Sequence, residues 1–319
     1  MRLARQRAKA LEKLSDSLSC LGRRVVLVRT GDFVFVTFGA LAGLGTLLGF
    51  GWMSALWVGQ GLAPAHLSGL GLTGAVGIVG GSWIAALALD HRTLLERPFE
   101  TLRRPAFVSW GGLAGAFLAI ALCAAISHFG VLLLLDGFAR GAPIGHLLGR
   151  IGCLTYGCCF GRHTRGPLSI TYTHPEAKAV RVAGLHGVPL HPAAFYEAVL
   201  DGVLFVAVNA VALAGAPQGT SAALCLAGYG IGRFGIEFLR DNDGRMLPVG
   251  LAVNQVVSLA LAAVGAMTLL PLYLFAPPTP PIAWGAVLNA APTVLAALVP
   301  CAALVGLGFS LHRGRVGSW

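Results

Sequence analysis

Runs of roughly twenty apolar residues, each bounded by charge or proline, recur along the chain, at residues 32–57, 67–89, 106–127, 131–149, 192–214, 219–239, 249–275 and 282–311. A helix needs about 20 such residues to cross a hydrocarbon core of roughly 30 Å, so each run predicts a membrane span. The fourth is the most interrupted, by Asp136, Arg140, Pro143 and His146. Between residues 150 and 191 the pattern turns polar, and Leu168-Ser-Ile-Thr-Tyr-Thr173 alternates with the period of a short strand. The fold predicted is an all-α polytopic membrane protein of seven to eight transmembrane helices with a small strand-containing polar insert. Residues 1–31 form a basic, partly amphipathic interfacial segment, 32–275 the main transmembrane domain with its insert at 150–191, and 276–319 an extra C-terminal transmembrane segment.

Composition strengthens this picture, since 56% hydrophobic and 11% charged residues exclude an ordinary soluble domain, which is roughly 25% charged. The 44 glycines suit membrane helices, whose backbones must approach closely. A cleaved signal is not expected, because the first apolar run begins only after about thirty residues and is too long for a signal core. The formal charge of +10 is uneven, with eight cations before Gly31. With eight spans, the N-terminus, the loop at 90–105, the insert, the loop at 240–248 and the C-terminus share one side and hold nearly all Lys and Arg. The positive-inside rule assigns that side to the cytoplasm. The partners this implies are membrane lipids, not nucleic acid, and the arginines at 92, 97, 103 and 104 are expected to contact lipid phosphates.

Chemistry enters with charges placed inside apolar runs. Arg233, Glu237 and Arg240 follow one another at i, i+4 and i+7, on one helical face, and Arg150 closes another run in Gly149-Arg-Ile-Gly-Cys153. Such residues are costly in a membrane and usually face the bundle interior, where a guanidinium fork suits phosphate or carboxylate. They predict a pocket for an anionic lipid headgroup. The plainer alternative is that Arg150 and Arg240 snorkel from helix ends while Glu237 neutralises Arg233. Arg233, about two turns inside the predicted end of its span, argues against that. His191-Pro-Ala-Ala-Phe-Tyr-Glu197 then opens the fifth run with a polar mouth at a helix start.

Taken together, Asp136, Gly145-His-Leu-Leu-Gly-Arg-Ile-Gly-Cys153, Gly157-Cys-Cys-Phe-Gly-Arg162, the 191–197 stretch, Tyr229-Gly-Ile-Gly-Arg-Phe-Gly-Ile-Glu-Phe-Leu-Arg240 and Gln255 resemble the bacterial prolipoprotein diacylglyceryl transferase family in order and spacing, over about residues 33–275. The resemblance implies a multi-pass enzyme of the bacterial inner membrane. Such an enzyme moves the diacylglyceryl group of phosphatidylglycerol onto the lipobox cysteine of a prolipoprotein signal peptide, releases glycerol phosphate, and needs no cofactor. Carried over by motif, Arg150, Arg233, Glu237 and Arg240 are the expected catalytic residues, and His191 is added to them as a substitute base. Gly152, Cys153, Gly161, Tyr196, Glu197, Tyr229, His146 and Asp136 are the expected substrate-binding residues. The family places the N-terminus and the active mouth in the periplasm, against the charge count, and the family is followed for the insert because its arginines are site residues.

The chain departs from the family at the proposed base. Where the family has histidine before Gly-Gly at the start of the third span, this chain has Trp110, and His146 and His191 are the remaining imidazoles fit for proton transfer. Cys153 and Cys158 replace an asparagine and an acidic residue, as in a cysteine-rich branch of the family. Cys153, Cys158, Cys159 and His163 raise three readings: a metal site, a disulfide, or small residues in a tight loop. The last is adopted and no metal is assigned, because a paired Cys-x-x-Cys is lacking. The alternative of another class is a noncatalytic phospholipid-binding or lipoprotein-handling membrane protein that kept the arginines. A solute transporter is disfavoured, since neither an inverted repeat nor broken helices are evident.

Overall fold

Apolar runs become helices here because lipid offers no hydrogen bonds, so each backbone must satisfy itself. The computed structural model describes residues 2–97, 99, 109–240, 250–313 and 316. Its helices are α1 Arg2–Leu21, α2 Thr37–Gly59, α3 His66–Leu89, α4 His91–Glu96, α5 Ser109–Ser127, α6 Val131–Tyr156, α7 Lys178–Arg181, α8 Ala193–Leu213, α9 Thr220–Glu237, α10 Val253–Phe275 and α11 Trp284–Ser310. Every predicted run holds one long helix. Six of these, α2, α3, α6, α8, α10 and α11, have the length and hydropathy to cross a membrane; α5 contributes a shorter apolar stretch, and α9 carries Arg233 and Glu237. The protein is a multi-pass, all-α membrane protein.

Glycine sets how closely the helices pack. At Gly45 and Gly49 of α2 an added Cβ would stand 2.6 Å from the Gly145 carbonyl oxygen and 3.0 Å from that of Gly141, so α2 and α6 lie backbone to backbone. This contact positions the end of α6 that bears the site. The interruptions of the fourth run do not break it, because each polar side chain turns inward to a partner: Arg140 Nε donates to Asn209 Oδ1 at 3.1 Å, and His146 Nδ1 lies 2.8 Å from Asp201 Oδ2. The helix runs on to Tyr156, through Pro143. Arg150 therefore sits one and a half turns inside α6, not at its end as predicted.

A polar head caps one end of the bundle. The first run begins not as helix but as β2 (Phe33–Val36), which pairs antiparallel with β1 (Val26–Thr30) across a two-residue turn at Gly31, φ +56°, and with β5 (Leu311–Arg313). The Gly-Asp pair between two β-branched and aromatic stretches was the signal for this hairpin, masked by the apolar run that follows. In the insert, β3 (Ile170–Thr171) pairs with β4 (Pro189–Leu190), two residues of the predicted alternation. The basic α1 lays its Leu14 and Leu18 against Ile170 and Tyr172 of the insert, and Ser15 Oγ and Ser19 Oγ accept the Ser169 and Thr171 N–H groups at 3.0 and 3.1 Å. Its apolar stripe thus faces the insert. Helix α1, strand β5 and the insert share one end of the bundle, while the Ala283–Gly59 and Gln218–Pro277 backbone bonds lie at the other. Of the remaining arginines, Arg103 and Arg104 lie outside the described residues, as does the loop from 241 to 249.

Candidate functional site

Beneath the head, three guanidinium groups converge on one carboxylate. Glu197, on the first turn of α8, is fully buried. Arg150 Nη2 from α6 lies 2.8 Å from its Oε2, Arg240 Nη1 donates to its Oε1 at 3.0 Å, and Arg233 Nε from α9 lies 3.7 Å from Oε2. A second buried carboxylate, Glu237, pairs closely with Arg233, lies 3.8 Å from Arg240 Nε, and accepts from Asn254 Nδ2 at 3.0 Å. Three guanidinium groups face Glu197 and Glu237, with the buried Asp201 carboxylate behind His146 as a third anion, all in a dry setting where charges act most strongly. Side chains of Arg150, Arg233 and Arg240 keep 11%, 10% and 18% exposure, so they are reachable by a ligand yet held. Snorkelling does not describe Arg150 and Arg240, which point into the bundle at Glu197, whereas the pairing of Glu237 with Arg233 expected in that alternative is present.

Arg240 reaches this place by a route the helical pattern did not show. Helix α9 ends at Glu237, only four residues past Arg233, and the chain turns so that Arg240 forms a β-bridge with Gly161. Gly161 in turn donates its N–H to the His191 carbonyl at 2.9 Å. A Cβ at Gly161 would fall 2.4 Å from the Leu239 carbonyl oxygen and 2.6 Å from His191 Cβ, so only glycine fits the crossing. Gly161 thus links the His191 strand to Arg240. Gly152 serves similarly, letting α6 approach Phe38, whose ring would lie 2.8 Å from an added Cβ.

His146 is bonded on both ring nitrogens, its Nδ1 facing Asp201 and its Nε2 accepting from Arg150 Nε at 3.1 Å, with Tyr229 edge-on at 5.9 Å. This arrangement fixes the Arg150 fork toward Glu197. His191 is different: its Nδ1 meets the Tyr196 hydroxyl at 3.2 Å, and its Nε2 has no partner among the described residues. Burial, then the Arg162 charge, push the His191 imidazole below its ordinary value, which favours the neutral form. Cys153 is buried at the last turn of α6, and Cys158 and Cys159 follow at once. Trp110 is the second residue of α5, and its side chain lies outside what the structure describes.

Asp136 is not brought to the cluster. It lies fourteen residues before Arg150 in α6, about 21 Å along the axis. There its Oδ2 and Oδ1 accept the Gly219 and Ala222 N–H groups at 2.6 and 2.9 Å, capping α9 from a neighbouring helix. Asp136→Asn is expected to lower stability by about 1–3 kcal/mol, seen as a lower melting temperature in detergent, with ligand affinity at the arginines unchanged. Asp201 and Asn254 belong to the site but were not singled out from the sequence. An aspartate four residues after Glu197 within an apolar run was a usable signal; a neutral Asn254 gave none. Gln255 caps its own helix, its Oε1 accepting the Ala252 N–H at 2.9 Å. An apolar groove of about 630 Å³ on the flank, lined by Leu44, Ala303 and Leu307 among others, holds no ionisable side chain and none of this chemistry.

The model of the family described as prolipoprotein diacylglyceryl transferase matches residues 25–271 of the chain. Named relatives agree. The chain is 32% identical over 190 residues, 59% of its length and 71% of the relative's, to phosphatidylglycerol-prolipoprotein diacylglyceryl transferase 2 of Clostridium perfringens. It is 26% identical over 231 residues, 72% of its length and 89% of the relative's, to the like-named enzyme of Clostridium tetani. A third, from Methylobacillus flagellatus, is 29% identical over 249 residues, covering 72% of this chain and 90% of that one.

Proposed function

The chain belongs to the prolipoprotein diacylglyceryl transferase family, and from that premise we propose that its arginine cluster is where the diacylglyceryl group of phosphatidylglycerol passes to a prolipoprotein cysteine thiol, with release of glycerol phosphate. The observation that carries this reading is the convergence of Arg150, Arg233 and Arg240 on buried Glu197. The thiolate attacks the C3 carbon of the diacylglyceryl group. A C–S bond forms, the C–O bond to phosphate breaks, and the electron pair leaves on the phosphate oxygen. The headgroup phosphate goes from one negative charge to two, so charge develops where three guanidinium groups are gathered and preorganised. Arg150, aimed by His146 and Asp201, and Arg240 grip the phosphate; Arg233 and Glu237 hold the cluster's geometry.

The thiol must lose its proton, and Trp110 cannot take it. His191 is assigned that task, since His146 has both ring nitrogens engaged. With Nδ1–H donating to Tyr196, its Nε2 presents a free lone pair. The acceptor is the lipobox cysteine of a prolipoprotein signal peptide, and the enzyme resides in the bacterial inner membrane with its head outward.

Purified protein incubated with labelled phosphatidylglycerol and a lipobox peptide is expected to release labelled glycerol phosphate and form a thioether-linked peptide. Lipid binding without release from the wild-type chain would overturn the transferase reading in favour of a noncatalytic binder. The base predicts a pH profile as well. A neutral imidazole is the active form, and its titration lies below the ordinary histidine value. Activity is therefore expected to fall on acidification, at lower pH than an ordinary histidine base would give. His191→Gln is expected to lower kcat about 10²–10⁴-fold and abolish that acidic limb; an unchanged limb would remove His191 from the role.

A further inference from the structure

We propose that Cys153, Cys158 and Cys159 form a binding site for a single thiophilic metal ion, Cu(I) or Zn(II), alongside the arginine cluster. The three sulfurs lie within 4.8 Å of one another, and all three are free thiols. Metal–sulfur bonds of about 2.3 Å place coordinating sulfurs about 4 Å apart, so the trio closes on one ion with small side-chain rotations. A three-thiolate set selects soft ions.

The backbone explains how cysteines without a Cys-x-x-Cys spacing reach one point. Helix α6 ends three residues after Cys153, and Gly157 at φ +74° reverses the chain, so that the N–H groups of Gly157 and Cys158 both return to the Cys153 carbonyl at 3.0 and 3.2 Å. That folds Cys158 back over Cys153. Neighbours in extended chain point to opposite sides, but Cys159 sits at φ +54°, a conformation rare for a residue with a side chain, and this breaks the alternation. Cys159 therefore joins the same cluster. Three donors, not two, also argue against a disulfide as the end state, since a disulfide leaves one thiol over.

Electrostatics favours the ion as well. The Arg150 and Arg240 charges favour the thiolate form of Cys159. Three thiolates around Zn(II) or Cu(I) carry one or two net negative charges, which the nearby guanidiniums offset in part. The surrounding Tyr156, Tyr172 and Ala177 shield the site from competing water. An ion bound here draws the Cys159 sulfur away from the arginines, tying occupancy to the charge of the neighbouring pocket. The proposal stands on the thiol geometry and not on the transferase reading.

The test is metal binding by the full chain, purified in detergent, reduced and stripped of metal under anaerobic conditions. Titration with Cu(I) and, separately, with Zn(II) is expected to give one tightly bound ion per chain for the preferred metal. X-ray absorption at its edge should show about three sulfurs at roughly 2.3 Å. Cys153→Ser and Cys158→Ser are each expected to weaken binding about 100-fold or more, beyond what loss of an outer partner costs, while Cys123→Ser and Cys225→Ser leave it unchanged. If a serine variant fails to fold, the sulfur count in the wild-type spectrum decides. A shell of nitrogen and oxygen, binding unaffected by Cys158→Ser, or mass spectrometry showing two of the trio joined as a disulfide in freshly purified protein would overturn the proposal.

Discussion

Arg150→Ala is expected to abolish diacylglyceryl transfer, by at least about 10³-fold in kcat/KM, read as release of labelled glycerol phosphate. Removing one preorganised donor at a developing oxyanion costs about 10²–10³ in kcat. Arg150 also holds two other groups, since its Nε donates to His146 and its Nη2 faces Glu197. Alanine strands both, and the misplacement adds to the lost charge. Arg150→Lys separates the two effects. An ammonium keeps the charge but cannot address His146 and Glu197 together through a planar fork. It is expected to restore less than a tenth of the wild-type rate while recovering most of the lost stability. Full activity in the lysine variant would mean that charge alone, and not the fork held by His146, does the work.

Glu197→Gln works differently, striking stability as well as rate. The substitution changes little in shape, yet it removes the anion on which three guanidiniums converge and leaves Glu237 alone against them. Stripping one partner from a buried ion cluster costs about 3–5 kcal/mol. The arginines must spread apart, and a shift of about 1 Å at a reacting centre is worth about 10²-fold in rate. The expected outcome is a large fall in melting temperature with a fall of about 10²-fold in kcat. Because the pocket gains net positive charge, affinity for the anionic lipid is held or raised even as turnover drops. A variant with normal melting behaviour and lowered lipid affinity would show that Glu197 contacts the substrate and is not the anchor of the cluster.

These two residues also mark how unevenly the sequence and the fold contribute. The helices were legible because a bilayer permits few solutions, so a run of twenty apolar residues reads almost directly as a span. The charged residues were legible for the same reason. Arg150, Arg233 and Glu237 stand out where charge is expensive, and no structure is needed to suspect them. The β1–β2 hairpin was not, because Phe33–Val36 reads equally well as strand or as the first turn of the span behind it. Nor was the docking of α1 on the insert, since an amphipathic helix has the same pattern whether its apolar face meets lipid or protein.

What the amino-acid sequence determined alone is the membrane class, the span order and the set of charges available for chemistry, because burial of charge and of backbone in lipid is penalised locally, residue by residue. Which charges meet was decided only by tertiary structure. Asp136 and Arg150 share one helix, yet one caps α9 at the far end and the other faces Glu197. Arg240 leaves its helix and returns through a bridge to Gly161, and three cysteines meet only because two residues turn left-handed. Convergence of this kind depends on distances between segments far apart in the chain, and no local pattern encodes them.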